Sequence, residues 1–190
     1  ASASLAALFL PTKSPCSVTK PSFTAFLGIC FLASIWSCDH ALDGALVTLP
    51  VTFNYHGSSF TQVGISDNGY LRLGQLTTTN YTPLSGLSDV ISALGADLYG
   101  TAATHSLSYV TTGSAPNRVF TCEWFNWGKY STGLNEINFE IKLYETSGIV
   151  QVIYQPTTPT TSFTCQAGLT GSAITDFNDR TSATAWTGTT

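Results

Sequence analysis

At 190 residues with 43% hydrophobic content, the chain suits one large all-β domain with its own core. Seven basic residues against eleven acidic ones give neither the cationic footprint of a nucleic-acid binder nor an acidic tail, so nucleic acid is not expected as a partner. Low charge, abundant Thr, Ser and Gly, and 11 Phe, 8 Tyr and 4 Trp favour pleated, half-buried strands and an extracellular setting.

Residues 1–42 read as an apolar N-terminal arm and 43–190 as the sandwich domain. No Met occurs, so a processed chain or a fragment is expected. FTAFLGICFLASIW, from Phe23 to Trp36, is apolar over 14 residues, whereas a helix needs roughly 20 to span a bilayer. No membrane span is therefore expected. With Lys13 and Lys20 upstream the stretch resembles the h-region of a signal peptide; an uncleaved, packed strand is the preferred expectation. Its large apolar side chains are Phe23, Phe26, Leu27, Ile29, Phe31, Leu32, Ile35 and Trp36. On a soluble monomer these cannot stay exposed, so they must pack in their own domain or in a neighbour's. Strand addition from one subunit to the next would produce a head-to-tail filament.

From Val47 onward strand-like runs alternate with turn signals at intervals of roughly ten residues, the pattern of a sandwich or barrel. LVTLPVTFNY is interrupted by Pro50, which suits an edge strand or a bulge. His56-Gly57-Ser58-Ser59 reads as a turn. FTQVGIS and YLRLGQL follow as two arms of a hairpin around Asp67-Asn68-Gly69, with Val63, Ile65, Leu71 and Leu73 on the buried face and the other face wet. Residues 76–90 read as a loop crossing between sheets and carry a formal glycosylation sequon, Asn80-Tyr81-Thr82. SLSYVTTG and RVFTCEWFNW are the next strands, joined through Ser114-Ala115-Pro116-Asn117. NEINFEIKLYE alternates most cleanly: Ile137, Phe139, Ile141 and Leu143 share one face, and Asn138, Glu140, Lys142 and Tyr144 the other. IVQVIYQ and CQAGLTG complete the strands. Beyond Ser172 the polar tail reads as a loop lying on the sheet. The fold class expected is an antiparallel β-sandwich of two sheets, jelly-roll or Ig-like.

Chemistry is sparse. Asn-Gly with a neighbouring Asp tolerates the positive φ of tight hairpin turns, so Asp67-Asn68-Gly69 is read as structural; calcium would need further oxygens, which Asp89 and Asp97 could supply only if the fold brought them near. Glu123 and Glu140 sit on polar faces of two strand runs and could form a glycosidase pair if about 5 to 10 Å apart. His40, His56 and His105 lack a nucleophile elbow or an HExxH neighbour. No enzyme, metal or cofactor is expected. Trp124, Phe125, Trp127 and Tyr130 form the densest aromatic group; alternation buries Trp124 and presents Phe125 on the opposite face, with Trp127 near the strand end, so Phe125, Trp127 and Tyr130 are read either as core and edge packing or as a candidate platform for sugar rings or protein partners. Five cysteines, Cys16, Cys30, Cys38, Cys122 and Cys165, have no zinc-site spacing. Cys122 and Cys165 would form a disulfide if their strands are neighbours.

The blocks VTFNYHGSSFTQVGISDNGYLRLG, VISALGADL, SLSYVTTGSAPNRVFTCEWFNW, INFEIKLYETSGIVQVIYQ and AGLTGSAITDFNDRT with Trp186 occur in that order over most of residues 43–190. Together they resemble secreted β-sandwich modules of Bacteroidota surface proteins and, more distantly, the nidogen-type extracellular domain. The resemblance implies an extracellular or cell-surface location and a non-enzymatic role in adhesion or surface architecture. Expected partners are further copies of the chain, glycans or other surface proteins. Gly95-Ala96 stands where the resemblance implies a bulky aromatic and an acidic residue before Asp97, and residues 1–42 match no part of it.

Overall fold

The computed structural model describes residues 37–38, 44–100, 105–130, 137–155 and 164–179, all within the second of the chain's two units, Phe31–Thr190. The arm residues Phe23 to Trp36 lie outside the described residues. The strands among the described residues are β1 (Ser37–Cys38), β2 (Leu46–Tyr55), β3 (Ser58–Ser66), β4 (Tyr70–Leu73), β5 (Val90–Gly95), β6 (Leu98–Tyr99), β7 (Ser106–Thr112), β8 (Val119–Lys129), β9 (Ile137–Tyr144), β10 (Val150–Tyr154), β11 (Gln166–Thr170) and β12 (Phe177–Asp179). They form two antiparallel sheets, in the orders β1-β7-β8-β9-β10, with β6 also on β8, and β12-β11-β5-β4-β3-β2. The expected all-β sandwich is what the chain forms.

Period-two alternation explains the layering, because successive side chains of a strand point to opposite faces. In β9, Ile137, Phe139, Ile141 and Leu143 are buried while their neighbours are half-buried. From the second sheet, Leu49, Val51, Phe53 and Tyr55 of β2 face them with Val63, Ile65, Leu71 and Leu73, in one shared core. β2 is an edge strand, and its register with β3 shifts between Thr48 and Phe53. Pro50, in that interval, cannot donate to a ladder, so its place at an edge irregularity follows from its missing N–H.

Two side chains of the first sheet hydrogen-bond across the core to the backbone of the second. The Trp124 indole N–H donates to the Ser66 carbonyl at 3.0 Å, and the ring lies parallel to Phe139, centroids 4.8 Å apart and 12° from coplanar. The Tyr154 hydroxyl donates to the Ala93 carbonyl; burial pushes that hydroxyl up to about 12.

Four expectations are corrected. The segment 76–90 does not cross between sheets: β4 and β5 are neighbours in one sheet. It folds back over the outward face, where Tyr70, Leu84 and Val90 make a small second core with Leu87. That face is therefore not wet, and Gly64, Ser66 and Tyr70 are buried. Gln166 holds the segment down, accepting from the Leu84 N–H at 2.9 Å and donating to the Ser85 hydroxyl at 2.7 Å. The tail beyond Ser172 does pair within the sheet, since Phe177–Asp179 lies antiparallel to β11; backbone pairing needs no apolar sequence. Finally, Cys122 and Cys165 are both free thiols. Their strands are not neighbours, because Cys122 lies in β8 of the first sheet and Cys165 leads into β11 of the second.

An ion pair clamps one end of the first sheet. Arg118 engages Glu145 bidentately, Nε to Oε2 at 2.9 Å and Nη2 to Oε1 at 2.5 Å, and the Arg118 backbone N–H adds a third bond to Oε2 at 3.0 Å. Arg118 also donates to the Pro50 carbonyl of β2. The Arg118 guanidinium holds the Glu145 carboxyl down at about 2, from an ordinary 4.5. A depressed carboxylate stabilises the folded state above its unfolded pKa, and that contribution fades as pH falls through the folded value. We predict that Glu145→Gln lowers the denaturation midpoint at neutral pH, and that the gap from the wild type closes between about pH 4.5 and pH 2. A gap independent of pH would locate the effect in packing instead.

Candidate functional site

Asp67-Asn68-Gly69 is the tip of the β3–β4 hairpin, and the polar groups of Asn68 are turned inward. Asn68 is 7% exposed; its N–H donates to the Ser66 hydroxyl at 3.1 Å, and its side-chain carbonyl accepts from the Leu98 N–H at 3.1 Å. The Gly69 carbonyl accepts from the N–H groups of Ala93 and Leu94, both at 3.1 Å. The turn joins β3–β4 to β5 and β6, and the Asn68 side-chain carbonyl and the Asn68 and Gly69 backbone carbonyls are committed to backbone donors. Among the described residues no group of three or more His, Cys, Asp or Glu is placed to hold a metal.

Glu123 and Glu140 are directly opposite in the β8–β9 ladder, on the outward face of the first sheet. Lys142 lies beside them, its ammonium 3.0 Å from Glu140. This cation offsets the repulsion that two facing carboxylates would otherwise suffer. Ser108, 2% exposed, stands opposite Glu123 with its hydroxyl 3.5 Å from the carboxylate. The two carboxylates are thus neighbours on a sheet face, with Lys142 of the same strand beside Glu140.

The aromatic group divides. Trp127 is 7% exposed, and its indole N–H donates to the Ser106 carbonyl at 2.9 Å while His105 packs edge-on, centroids 5.3 Å away. It is a core residue, which corrects its expected place on an exposed platform. The cause is a slip in the β8–β9 register between Trp124 and Trp127, where Asn126 takes φ +57°. The slip resets the alternation so that both tryptophans face inward. Phe125 is half-buried, and Tyr130 is exposed. Tyr130 has a neighbour that alternation did not reveal: Tyr99, centroid 5.7 Å away and 84° inclined.

At the opposite end of the second sheet, Tyr55 donates to the Thr170 carbonyl at 2.9 Å, and His56 Nδ1 lies 3.3 Å from Asp176. Burial, with the carboxylates of Asp89 and Asp176, pushes the Tyr55 hydroxyl well above its ordinary range. These contacts tie the β2–β3 corner to the β11–β12 turn. Both His56 and Asp176 are exposed, at 41% and 54%, so the pair contributes little to stability.

Two antiparallel sheets joined by turns define an all-β sandwich module. The chain matches the family described as NIDO related over residues 16–190, and it belongs to that family. The match carries the nidogen-type part of the resemblance and says nothing of a Bacteroidota source. No curated protein matches the chain, and no solved structure does. No helix among the described residues is long and apolar enough to cross a membrane.

Proposed function

We propose that this extracellular NIDO-related module is a non-catalytic structural and adhesive subunit whose copies join through the N-terminal arm, which adds as a strand along β7 of a neighbour. One observation carries the reading: the residues that follow the apolar stretch, Ser37–Cys38, pair antiparallel with Tyr109 and Ser108 of β7. β7 is seven residues long and β1 occupies two of its positions, so the arm's entry point is the edge of the first sheet. An edge strand is a ready template for main-chain pairing. Contacts made within a chain can be exchanged with an identical copy at little cost, since the partner surfaces are the same. The glycosidase reading has less support, because Glu140 is engaged by Lys142.

Negative-stain electron microscopy of the intact chain beside one starting at Asp39 tests this. Filaments or chains of particles that vanish on truncation are expected, and compact single particles from both would refute it. The ladder register supplies a second test. Directly opposed residues of neighbouring strands are close enough to be bridged, and Cys38 faces Ser108. In Ser108→Cys, with Cys16 and Cys30 changed to Ser, oxidation should give a ladder of covalent multimers on a non-reducing gel. A cross-linked monomer would place the arm on its own sheet.

A further inference from the structure

We infer that Tyr99, Tyr130 and Asp97 form a saccharide-binding subsite for a pyranose ring with one C–H-rich face. The proposal does not depend on the assembly reading.

After the slip at Asn126, the last residues of β8 leave β7 and pair with β6, Leu98 opposite Lys129 and Tyr99 opposite Gly128. One step further, the Tyr130 N–H donates to the Asp97 carbonyl at 2.8 Å. Alternation therefore sends Asp97, Tyr99, Gly128 and Tyr130 to one face, while Leu98, on the other, is 4% exposed and tied to Asn68. The two tyrosines are 46% and 54% exposed. Their rings meet edge to face, so each fixes the orientation of the other. Gly128, opposite Tyr99, has no side chain to cover that ring.

The chemistry fits a sugar. The face of an aromatic ring is electron-rich, and the C–H groups on one side of a pyranose carry the complementary partial charge. Hydroxyls at the rim of such a ring need acceptors and donors. Asp97 offers a carboxylate with room for two hydroxyl donors, and each tyrosine offers a phenol that both donates and accepts. The Asp97 carboxylate makes no hydrogen bond or ion pair among the described residues. β6 and β8 are anchored in the core by Leu98 and Trp127, so the groups are held on a fixed strand pair rather than on loops, which reduces the ordering cost of binding.

The test is a nitrogen–proton NMR titration of the full chain with methyl β-galactoside, methyl β-glucoside and, separately, tetramethylammonium. Saturable shifts at the amides of Tyr99, Gly128 and Tyr130 with at least one of the two glycosides are expected. Tyr99→Ala should weaken that binding about tenfold or more, on the scale of one lost stacking ring, and Asp97→Asn about fivefold, as a charged acceptor becomes a neutral one. Tyr99→Phe should retain most of it, and Tyr81→Ala, at an equally exposed tyrosine of the segment between β4 and β5, should change nothing. Tyr99 and Tyr81 are exposed and Asp97 is half-buried, and an unchanged amide spectrum elsewhere in each variant certifies the fold. No shift with either glycoside, shifts unaffected by Tyr99→Ala, or a response to tetramethylammonium alone would overturn the proposal; the last would make the site a cation cage.

Discussion

Trp124→Ala should destabilise the protein by about 3–5 kcal/mol, the range for emptying a buried aromatic site. Trp124 is fully buried, stacks on Phe139 and hydrogen-bonds to Ser66 of the facing sheet. Truncation would remove the apolar burial, the ring contact and an inter-sheet hydrogen bond together. Domains of this size hold about 5–15 kcal/mol in total, so the variant should be marginal. Trp124→Phe separates the contributions in part: it keeps a ring against Phe139 but loses the indole donor and the volume of the second ring. The Ser66 carbonyl still accepts from the Gly69 N–H at 3.3 Å, so this variant should cost about 1–3 kcal/mol, less than Trp124→Ala. Urea midpoints with an unchanged slope are the measurement. A loss below about 1 kcal/mol for Trp124→Ala would mean that the two sheets are not joined through this residue.

Where local pattern decides structure, the sequence was legible. The β9 alternation and the inward faces of β2, β3 and β4 follow from period two alone, and the role of Pro50 at an edge from its missing N–H. What stayed hidden depends on contacts between residues far apart in the chain. Nothing in VFTCEWFNWGK marks Asn126 as the point where the ladder slips, because an asparagine at positive φ is locally permitted almost anywhere. One slipped position moved Trp127 from the surface to the core. The same slip let β8 reach β6, and so created the Tyr99–Tyr130 contact between residues 31 positions apart in the chain. A two-residue strand has no periodicity to detect. The cysteines failed for a related reason: bridging Cys122 to Cys165 required knowing the sheet to which each strand belongs. Gln166 pins Leu84 from 82 residues away, which no reading of the segment 76–90 could foresee.

Gly69→Ala should be the second most damaging of these substitutions, and a comparison with Gly57→Ala shows why. Both glycines sit in hairpin turns at left-handed φ, +80° and +76°. An L-residue in that region costs about 1–2 kcal/mol, and at Gly57 little else should follow, because a Cβ there meets nothing within 4 Å. At Gly69 a Cβ would lie 2.4 Å from the Leu94 carbonyl oxygen and 2.9 Å from its carbon. Those are backbone atoms of a central strand, which cannot swing aside as a flexible side chain can. Relief requires moving the turn away from β5, and the Gly69 carbonyl holds the Ala93 and Leu94 N–H groups there. Adding an overpacking cost of about 1–3 kcal/mol, Gly69→Ala should lose about 2–5 kcal/mol, roughly twice the loss at Gly57. Equal losses for the two variants, read from urea midpoints, would mean that the tip is an ordinary solvent-facing turn. The expected inequality makes Asp67-Asn68-Gly69 a bracket between strands, and leaves ligand chemistry to the opposite face, where Asp97 and the two tyrosines stand.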